Sequence, residues 1–166
     1  MDHEQLLTVA KQLGEALQTR GWKLALAESC TGGLAAATVT DIPGSSGWFD
    51  RGFITYSNAA KQEMLGVSSQ TLNLHGAVSE HTAMEMAHGA LKHSHANVAA
   101  AITGIAGPDG GSAEKPVGMV CFAWVDINGI SESATLQLEG NRQAVRYQSV
   151  KTVLEGLVQL TLSTDL

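Results

Sequence analysis

The apolar run at residues 97–103, Asn-Val-Ala-Ala-Ala-Ile-Thr, constrains the fold more than any other stretch of the chain. Its apolar residues do not alternate with polar ones, as they do in a strand that has one face in water. A strand without alternation is covered on both faces, and such strands lie in the middle of sheets that have helices above and below. The run therefore predicts a central strand of an α/β domain.

Helical and extended patterns alternate along most of the chain. We expect strands at 23–27 and 53–56, helices at 4–20, 34–40, 59–65 and 79–92, an irregular segment at 66–78 and a last helix from Asn141. Residues 117–126 and 130–138 form a predicted hairpin, because Asn128-Gly129 between them is a strong signal for a tight turn. These patterns predict a single domain over residues 1–166, a layered α/β/α fold with a mixed, largely parallel sheet and a C-terminal hairpin.

The composition disfavours several classes of protein. Of the 166 residues, 44% are hydrophobic and 16% are charged, which is typical of a globular chain. The net charge of −6 disfavours binding to nucleic acid, which needs a basic surface. The chain has no apolar run of membrane-spanning length and no signal-peptide pattern, and its two cysteines are too few for a disulfide scaffold or a zinc site. We expect a cytoplasmic enzyme or binding domain without a membrane or nucleic-acid partner.

A polar turn, Glu28-Ser29-Cys30-Thr31-Gly32-Gly33, joins the first predicted strand to a helix. Such a turn can present a serine hydroxyl and free backbone N–H groups to a ligand at the edge of a sheet. The same residues also suit a purely structural role, in which Ser29 or Thr31 caps the helix and the glycines make the turn. The turn alone leaves both interpretations open.

Lys61 is the second residue of interest, because Asn58 is predicted to cap its helix and Lys61 then lies in the first turn. A cation there faces the positive end of the helix dipole, which favours the neutral amine of a general base. Tyr56 ends the strand just before and can approach the same point. The structural alternative is a solvated lysine beside a half-buried tyrosine.

Arg142 and Arg146 are four residues apart at the start of the last helix. Two cations at a helix N-terminus oppose the dipole and each other, yet the same pair suits a phosphate. Solvated arginines are the alternative. The glycine-rich loop from Thr103 to Gly111 follows a strand, as a ligand-binding loop does in α/β sheets, although its glycines also suit a long turn.

No metal site is predicted. His81, Glu85 and His88 share one face of a helix, but their order differs from a metal-binding His-Glu-x-x-His motif and the face opposes the apolar one. A solvated helix face explains them.

Several stretches together resemble the CinA C-terminal domain family, in order and over residues 5–160. The stretches are Ala27–Gly33, Gly44-Ser45-Ser46 with Trp48-Phe49, Gly52-Phe53 through Tyr56-Ser57-Asn58 with Lys61, Gly76–Ser79, Thr103–Gly111 and Lys115-Pro116-Val117-Gly118. The resemblance implies hydrolysis of the carboxamide of nicotinamide mononucleotide to nicotinate mononucleotide and ammonia, in pyridine nucleotide recycling.

The resemblance also implies a catalytic set of Ser29, Lys61 and Tyr56, without a cofactor. Ser46 also lies in one of the stretches that resemble the family, so the nucleophile is either Ser29 or Ser46. Arg142 is the candidate for the substrate phosphate, and Thr103 and Gly104 are candidates for the nucleotide-facing loop. The remaining candidates for substrate binding are Glu28, Thr31, Gly32, Gly33, Ser46, Asn58 and Arg146.

Two further expectations concern partners and activity. Trp48 and Phe49, taken as exposed apolar residues, indicate a homodimer. The alternative function is a catalytically inactive nucleotide-binding or regulatory protein of the competence or damage-inducible family. Retention of Ser29, Tyr56 and Lys61 favours the enzyme.

Overall fold

The computed structural model describes residues 3–163, which contain a five-stranded sheet in the order β2-β1-β3-β4-β5. The strands are β1 (Leu24–Glu28), β2 (Phe49–Ile54), β3 (Val98–Gly104), β4 (Met119–Asp126) and β5 (Ser131–Gln137). The pairs β1–β2 and β1–β3 are parallel, whereas β3–β4 and β4–β5 are antiparallel. Four strands thus point in one direction and only β4 opposes them, which confirms the mixed, largely parallel sheet and the hairpin.

Helices cover the sheet on both faces. They are α1 (His3–Arg20), α2 (Leu34–Thr40), α3 (Asn58–Leu65), α4 (Ser69–His75), α5 (Glu80–Lys92) and α6 (Arg142–Leu162). One core contains buried residues of α1, α2 and α6, and the other contains those of α3, α4 and α5. The layered α/β/α prediction is confirmed.

The two faces of the central strands carry side chains of different size. Leu24 and Leu26 of β1 belong to the core with α1, α2 and α6, whereas Ala25 and Ala27 face α3 and α5. Successive side chains of a strand point to opposite faces. The alternation therefore continues past the apolar residues: Glu28 points towards α2, and Ser29 points towards α3.

Three predictions about local structure were wrong. The segment predicted as irregular contains helix α4, which Ser68 caps by accepting a hydrogen bond from Thr71 N at 3.0 Å. Strand β2 begins at Phe49 rather than at residue 53, because its pairing with β1 extends back to Leu24. The cap of α3 is Ser57, whose Oγ accepts from Ala60 N, and not Asn58.

Trp48 is only 1% exposed and belongs to the core with α1. A Cβ atom on Gly14 of α1 would lie 2.7 Å from the Trp48 ring, so the indole fills the space that this glycine leaves. Phe49 is half-buried against the same core. The prediction that Trp48 is exposed was therefore wrong, and Trp48 gives no support to the predicted homodimer. None of the helices among residues 3–163 is long and apolar enough to cross a membrane.

Candidate active site

A cavity of about 270 Å³ opens at the carboxyl ends of β1, β2 and β3. In open α/β sheets, ligands bind in the crevice beyond the carboxyl ends of the strands. The lining residues come from the β1–α2 turn, the start of α3, residues 77–78, the β3–β4 connection and the start of α6. The fold thus gathers five segments that are far apart in the sequence.

Ser29 and Lys61 meet on one side of this cavity. The Nζ atom of Lys61 lies 3.0 Å from Oγ of Ser29, and both side chains are buried. Nζ also donates hydrogen bonds to the backbone oxygens of Thr55 at 2.9 Å and Tyr56 at 3.3 Å. An ammonium donates to all three oxygens, whereas a neutral amine uses its two N–H groups on the two carbonyl oxygens, which only accept, and then has its lone pair available for the Ser29 hydroxyl proton.

The surroundings of Lys61 shift its pKa in the direction of the neutral amine. The residue is 1% exposed, and burial lowers its pKa below the ordinary value of 10.5, while the interaction with Cys30 acts in the opposite direction. Among residues 3–163, no carboxylate forms an ion pair with it. Burial also raises the pKa of the Cys30 thiol to about 11, so this neighbour is a neutral thiol at pH 7.

Glu28 does not reach the cavity, although it was predicted to bind substrate. Its carboxylate is 1% exposed and accepts hydrogen bonds from Thr31 Oγ1 at 2.6 Å, Ala35 N at 2.9 Å and Ala36 N at 2.9 Å, with a longer one from Gly33 N. An anion in this position is stabilised by the N-terminus of α2. Glu28 and Thr31 therefore hold the turn that carries Ser29, and neither lines the cavity.

Gly32 and Gly33 also shape the turn. Their φ angles are +56° and +106°, in the left-handed region that favours glycine. Neither lines the cavity, so the structure supports a conformational role for both, and their predicted contact with substrate stays a prediction.

Arg142 and Arg146 have different surroundings despite their matched spacing. Arg146 donates to the backbone oxygens of Cys30 at 3.2 Å and Thr31 at 2.9 Å, so it stabilises the turn that carries Ser29, and it does not line the cavity. Its predicted contact with substrate stays a prediction that the cavity lining does not support. Arg142 lines the cavity and donates to the backbone oxygen of Gly107 at 2.8 Å and to the phenol oxygen of Tyr56 at 3.3 Å.

Tyr56 lies at the mouth of the cavity with 62% of its surface exposed. Its backbone oxygen accepts from Lys61, and its phenol meets Arg142. Among the described residues, the phenol has no hydrogen bond to Ser29 or Lys61. The phenol therefore contacts α6 rather than the Ser29–Lys61 pair.

Three other candidates line the cavity as predicted. Asn58 is exposed at the start of α3, and Thr103 Oγ1 donates to the backbone oxygen of Ala77 at 2.8 Å. Gly104 has no room for a side chain, because a Cβ there would lie 2.7 Å from Val120 Cγ2. These three residues form part of the cavity lining.

Ser46 lies at the other end of the sheet. It is exposed in the short turn Ser45–Gly47, and the next residue, Trp48, accepts a hydrogen bond from the N–H of Leu24 at the start of β1. Ser29 follows the end of that five-residue strand, so the two serines are on the order of 15 Å apart at 3.3 Å per residue. Ser46 does not line the cavity and cannot reach Lys61.

Residue-by-residue reasoning did not select Asp109 as a site residue, although it lines the cavity together with residues 105–107 and Gly110–Gly111. The available signal was the glycine-rich stretch after a buried strand, which pointed to the loop but not to the carboxylate.

Fold and cavity together define an α/β enzyme with a buried serine–lysine pair at the carboxyl edge of its sheet. The chain belongs to the CinA C-terminal domain family, whose model matches residues 6–161, and the resemblance drawn from the motifs is confirmed.

Relatives of the chain extend over nearly its whole length. It is 52% identical over 163 residues to the nicotinamide-nucleotide amidohydrolase PncC of Enterobacter agglomerans. The aligned region covers 96% of this chain and 99% of that protein. The PncC protein of Escherichia coli K12 is 51% identical over 159 residues, 96% of each chain. These relatives are amidohydrolases, and the similarity places this chain among the amidohydrolase enzymes.

A solved structure shows the same fold. The crystal structure of the competence/damage inducible protein CihA from Agrobacterium tumefaciens matches with a TM-score of 0.93 and 48% identity, over 94% of this chain and 95% of that one.

Proposed function

We propose that this enzyme hydrolyses the carboxamide of nicotinamide mononucleotide, giving nicotinate mononucleotide and ammonia. The observation that carries the proposal is the 3.0 Å contact between Ser29 Oγ and Lys61 Nζ inside a cavity at the carboxyl edge of the sheet. The substrate is taken from the PncC relatives, which are similar to the chain over almost all of its length.

In the first step, Ser29 Oγ attacks the carboxamide carbon, and Lys61 Nζ takes the hydroxyl proton. The lone pair left free by the bonds to the Thr55 and Tyr56 carbonyls is in position to accept it. The carbon–nitrogen bond then breaks, and the Lys61 ammonium returns the proton to the departing nitrogen, which leaves as ammonia. An ester between Ser29 and the nicotinate group remains.

In the second step, water attacks the ester. Lys61 takes one proton from the water, the carbon–oxygen bond to Ser29 breaks, and the proton returns to Ser29 Oγ. Nicotinate mononucleotide leaves, and the enzyme is restored. The resemblance also implies that Tyr56 relays a proton; Tyr56 lines the same cavity, and among residues 3–163 its phenol accepts a hydrogen bond from Arg142 and forms none with Ser29 or Lys61.

Backbone amides at the nucleophile turn suit the oxyanion that forms on the carboxamide oxygen. Ser29 N donates to Ile102 O, and Gly32 N donates to Ser29 O. Within residues 3–163, the amide of Cys30, a residue that lines the cavity, has no backbone acceptor. Donors held in place next to a nucleophile stabilise the charge that develops in the transition state.

Arg142 is the proposed contact for the substrate phosphate. It has only neutral oxygen partners, Gly107 O and Tyr56 Oη, and within the described chain it forms no ion pair. A guanidinium left unpaired in a cavity favours an anionic ligand. The cytoplasmic location and the homodimer remain predictions of the sequence.

The test is ammonia release by the purified, metal-free protein from nicotinamide mononucleotide and, in parallel, from nicotinamide riboside. We expect release from the phosphorylated compound and much less from the riboside. Absence of release from both by a folded protein would favour the alternative, a nucleotide-binding protein without catalysis.

A further inference from the structure

Asp109 places a carboxylate in the wall of the active-site cavity, and the proposed reaction does not use it. It is exposed and lines the same cavity as Ser29 and Arg142. Within residues 3–163, its side chain has no hydrogen-bond or ion-pair partner. A carboxylate that faces a cavity without a protein partner is open to a ligand that donates hydrogen bonds.

The loop that carries Asp109 is held in place at both ends. A Cβ on Gly107 would lie 2.4 Å from Val117 Cγ1, and a Cβ on Gly111 would lie 2.9 Å from Val117 N, so both glycines pack tightly against the returning chain. Gly118 N donates to Ile105 O at 2.7 Å. Arg142 fastens the same loop to α6 through Gly107 O. Asp109 is therefore presented by a braced loop.

Asp109 and Arg142 contribute opposite charges to the lining of the same cavity. Arg142 contacts Gly107, two residues before Asp109, yet the two opposite charges do not form an ion pair. A phosphate is attracted to Arg142 and repelled by Asp109. A neighbouring group of the substrate that donates hydrogen bonds would suit the carboxylate. In a nucleoside monophosphate that group is the ribose, with its two vicinal hydroxyls.

We infer that Asp109 accepts hydrogen bonds from the vicinal hydroxyls of the substrate ribose and thereby selects ribonucleotides. The inference rests on the proposed function for the identity of the substrate. With Ser29 at the carboxamide and Arg142 at the phosphate, Asp109 contacts the ribose that links the pyridine ring to the phosphate. It acts in substrate recognition and takes no part in proton transfer.

The test compares Asp109→Ala and Asp109→Asn with wild type on nicotinamide mononucleotide and on its 2′-deoxy analogue. Glu114→Gln is the matched control, because Glu114 is an exposed carboxylate on the same connection that does not line the cavity. Binding of ribose 5-phosphate and 2-deoxyribose 5-phosphate is measured alongside by calorimetry. This second readout does not depend on turnover.

We expect wild type to prefer the ribose compounds by roughly 10- to 100-fold, the range of a hydrogen bond to a charged group. Asp109→Ala should lose at least that factor in kcat/KM on the natural substrate through KM, and it should lose less on the 2′-deoxy analogue, which offers Asp109 only the 3′-hydroxyl, so that the preference for ribose disappears. Asp109→Asn should lose less, and Glu114→Gln should match wild type.

Equal deoxy discrimination by Asp109→Ala and wild type would overturn the inference. Such a result, together with weaker binding of the whole nucleotide, would assign the carboxylate to the pyridinium cation instead. If wild type releases no ammonia from nicotinamide mononucleotide, the proposed function fails, and the sugar phosphate binding data still decide the role of Asp109.

Discussion

Lys61 Nζ and Ser29 Oγ lie 3.0 Å apart, although 32 residues separate them in the sequence. The contact exists because Ser29 continues the alternation of β1 towards the face where α3 packs, and Lys61 points from α3 back to the end of that strand. Both residues are buried, so the pair is shielded from bulk water.

We expect Ser29→Ala to lower ammonia release from nicotinamide mononucleotide by at least about 10³-fold, because removal of a nucleophile disables the whole catalytic unit. Ser46→Ala is the control, and its activity should equal that of wild type because Ser46 lies at the opposite end of the sheet. The measurement is kcat at saturating substrate, with circular dichroism to confirm folding. An active Ser29→Ala protein and an inactive Ser46→Ala protein would reverse the assignment.

The pH dependence of the reaction should report Lys61. As a general base it must be neutral, so kcat/KM should rise with pH and level off above the pKa of Lys61, which burial holds below 10.5. Lys61→Arg should be inactive at every pH because a guanidinium stays protonated. Lys92→Arg, an exposed change on α5, is the control. A rate that does not vary with pH would exclude Lys61 as the base.

The same lowered pKa of Lys61 has a consequence for stability. Between the folded-state pKa of Lys61 and 10.5, the unfolded chain binds more protons than the folded chain, so the free energy of unfolding rises with pH in that window. Lys61→Met lacks this titration. We therefore expect wild type to gain stability relative to Lys61→Met as the pH increases towards 10.5, as measured by urea unfolding at a series of pH values. A constant difference between the two proteins would contradict the burial argument.

Glu28→Gln should destabilise the protein without weakening substrate binding. The substitution removes the charge that accepts hydrogen bonds from Thr31, Ala35 and Ala36 at the start of α2. We expect the free energy of unfolding to fall by about 1–3 kcal/mol, the range for a buried hydrogen bond to a charged group. Urea unfolding gives the stability, and KM should stay near the wild-type value. A raised KM at unchanged stability would restore Glu28 as a substrate contact.

Arg142→Ala and Arg146→Ala should have different effects. The first removes the proposed phosphate contact, so kcat/KM should fall by roughly 10- to 100-fold on nicotinamide mononucleotide and little on the riboside. The second removes the brace on the Cys30 and Thr31 carbonyls, so it should reduce kcat on both substrates and lower stability. Rates on the two substrates separate these effects. Identical profiles for the two variants would refute the distinction.

Local patterns predicted most of the fold. The apolar run at 97–103 became the central strand β3, and Asn128-Gly129 joins two antiparallel strands. These signals work because burial on both faces and tight-turn geometry depend on adjacent residues only. Helix α4 was missed because it has only seven residues. In addition, its N-terminal cap residue is held by a distant residue, since the carboxylate of Glu85 on α5 accepts a hydrogen bond from Ser68 N at 2.8 Å.

By itself, the sequence determined the α/β class, the polar turn after the first strand and the residue types available for chemistry. The tertiary structure alone decided which of two similar residues lies at the cavity. Arg142 and Arg146 share one helix face, yet one meets Gly107 O and the other meets the β1–α2 turn. Ser29 and Ser46 lie in matching motifs at opposite ends of the sheet. Spacing along the chain determines the face on which a side chain lies, but its neighbours depend on strand register and helix packing between distant segments.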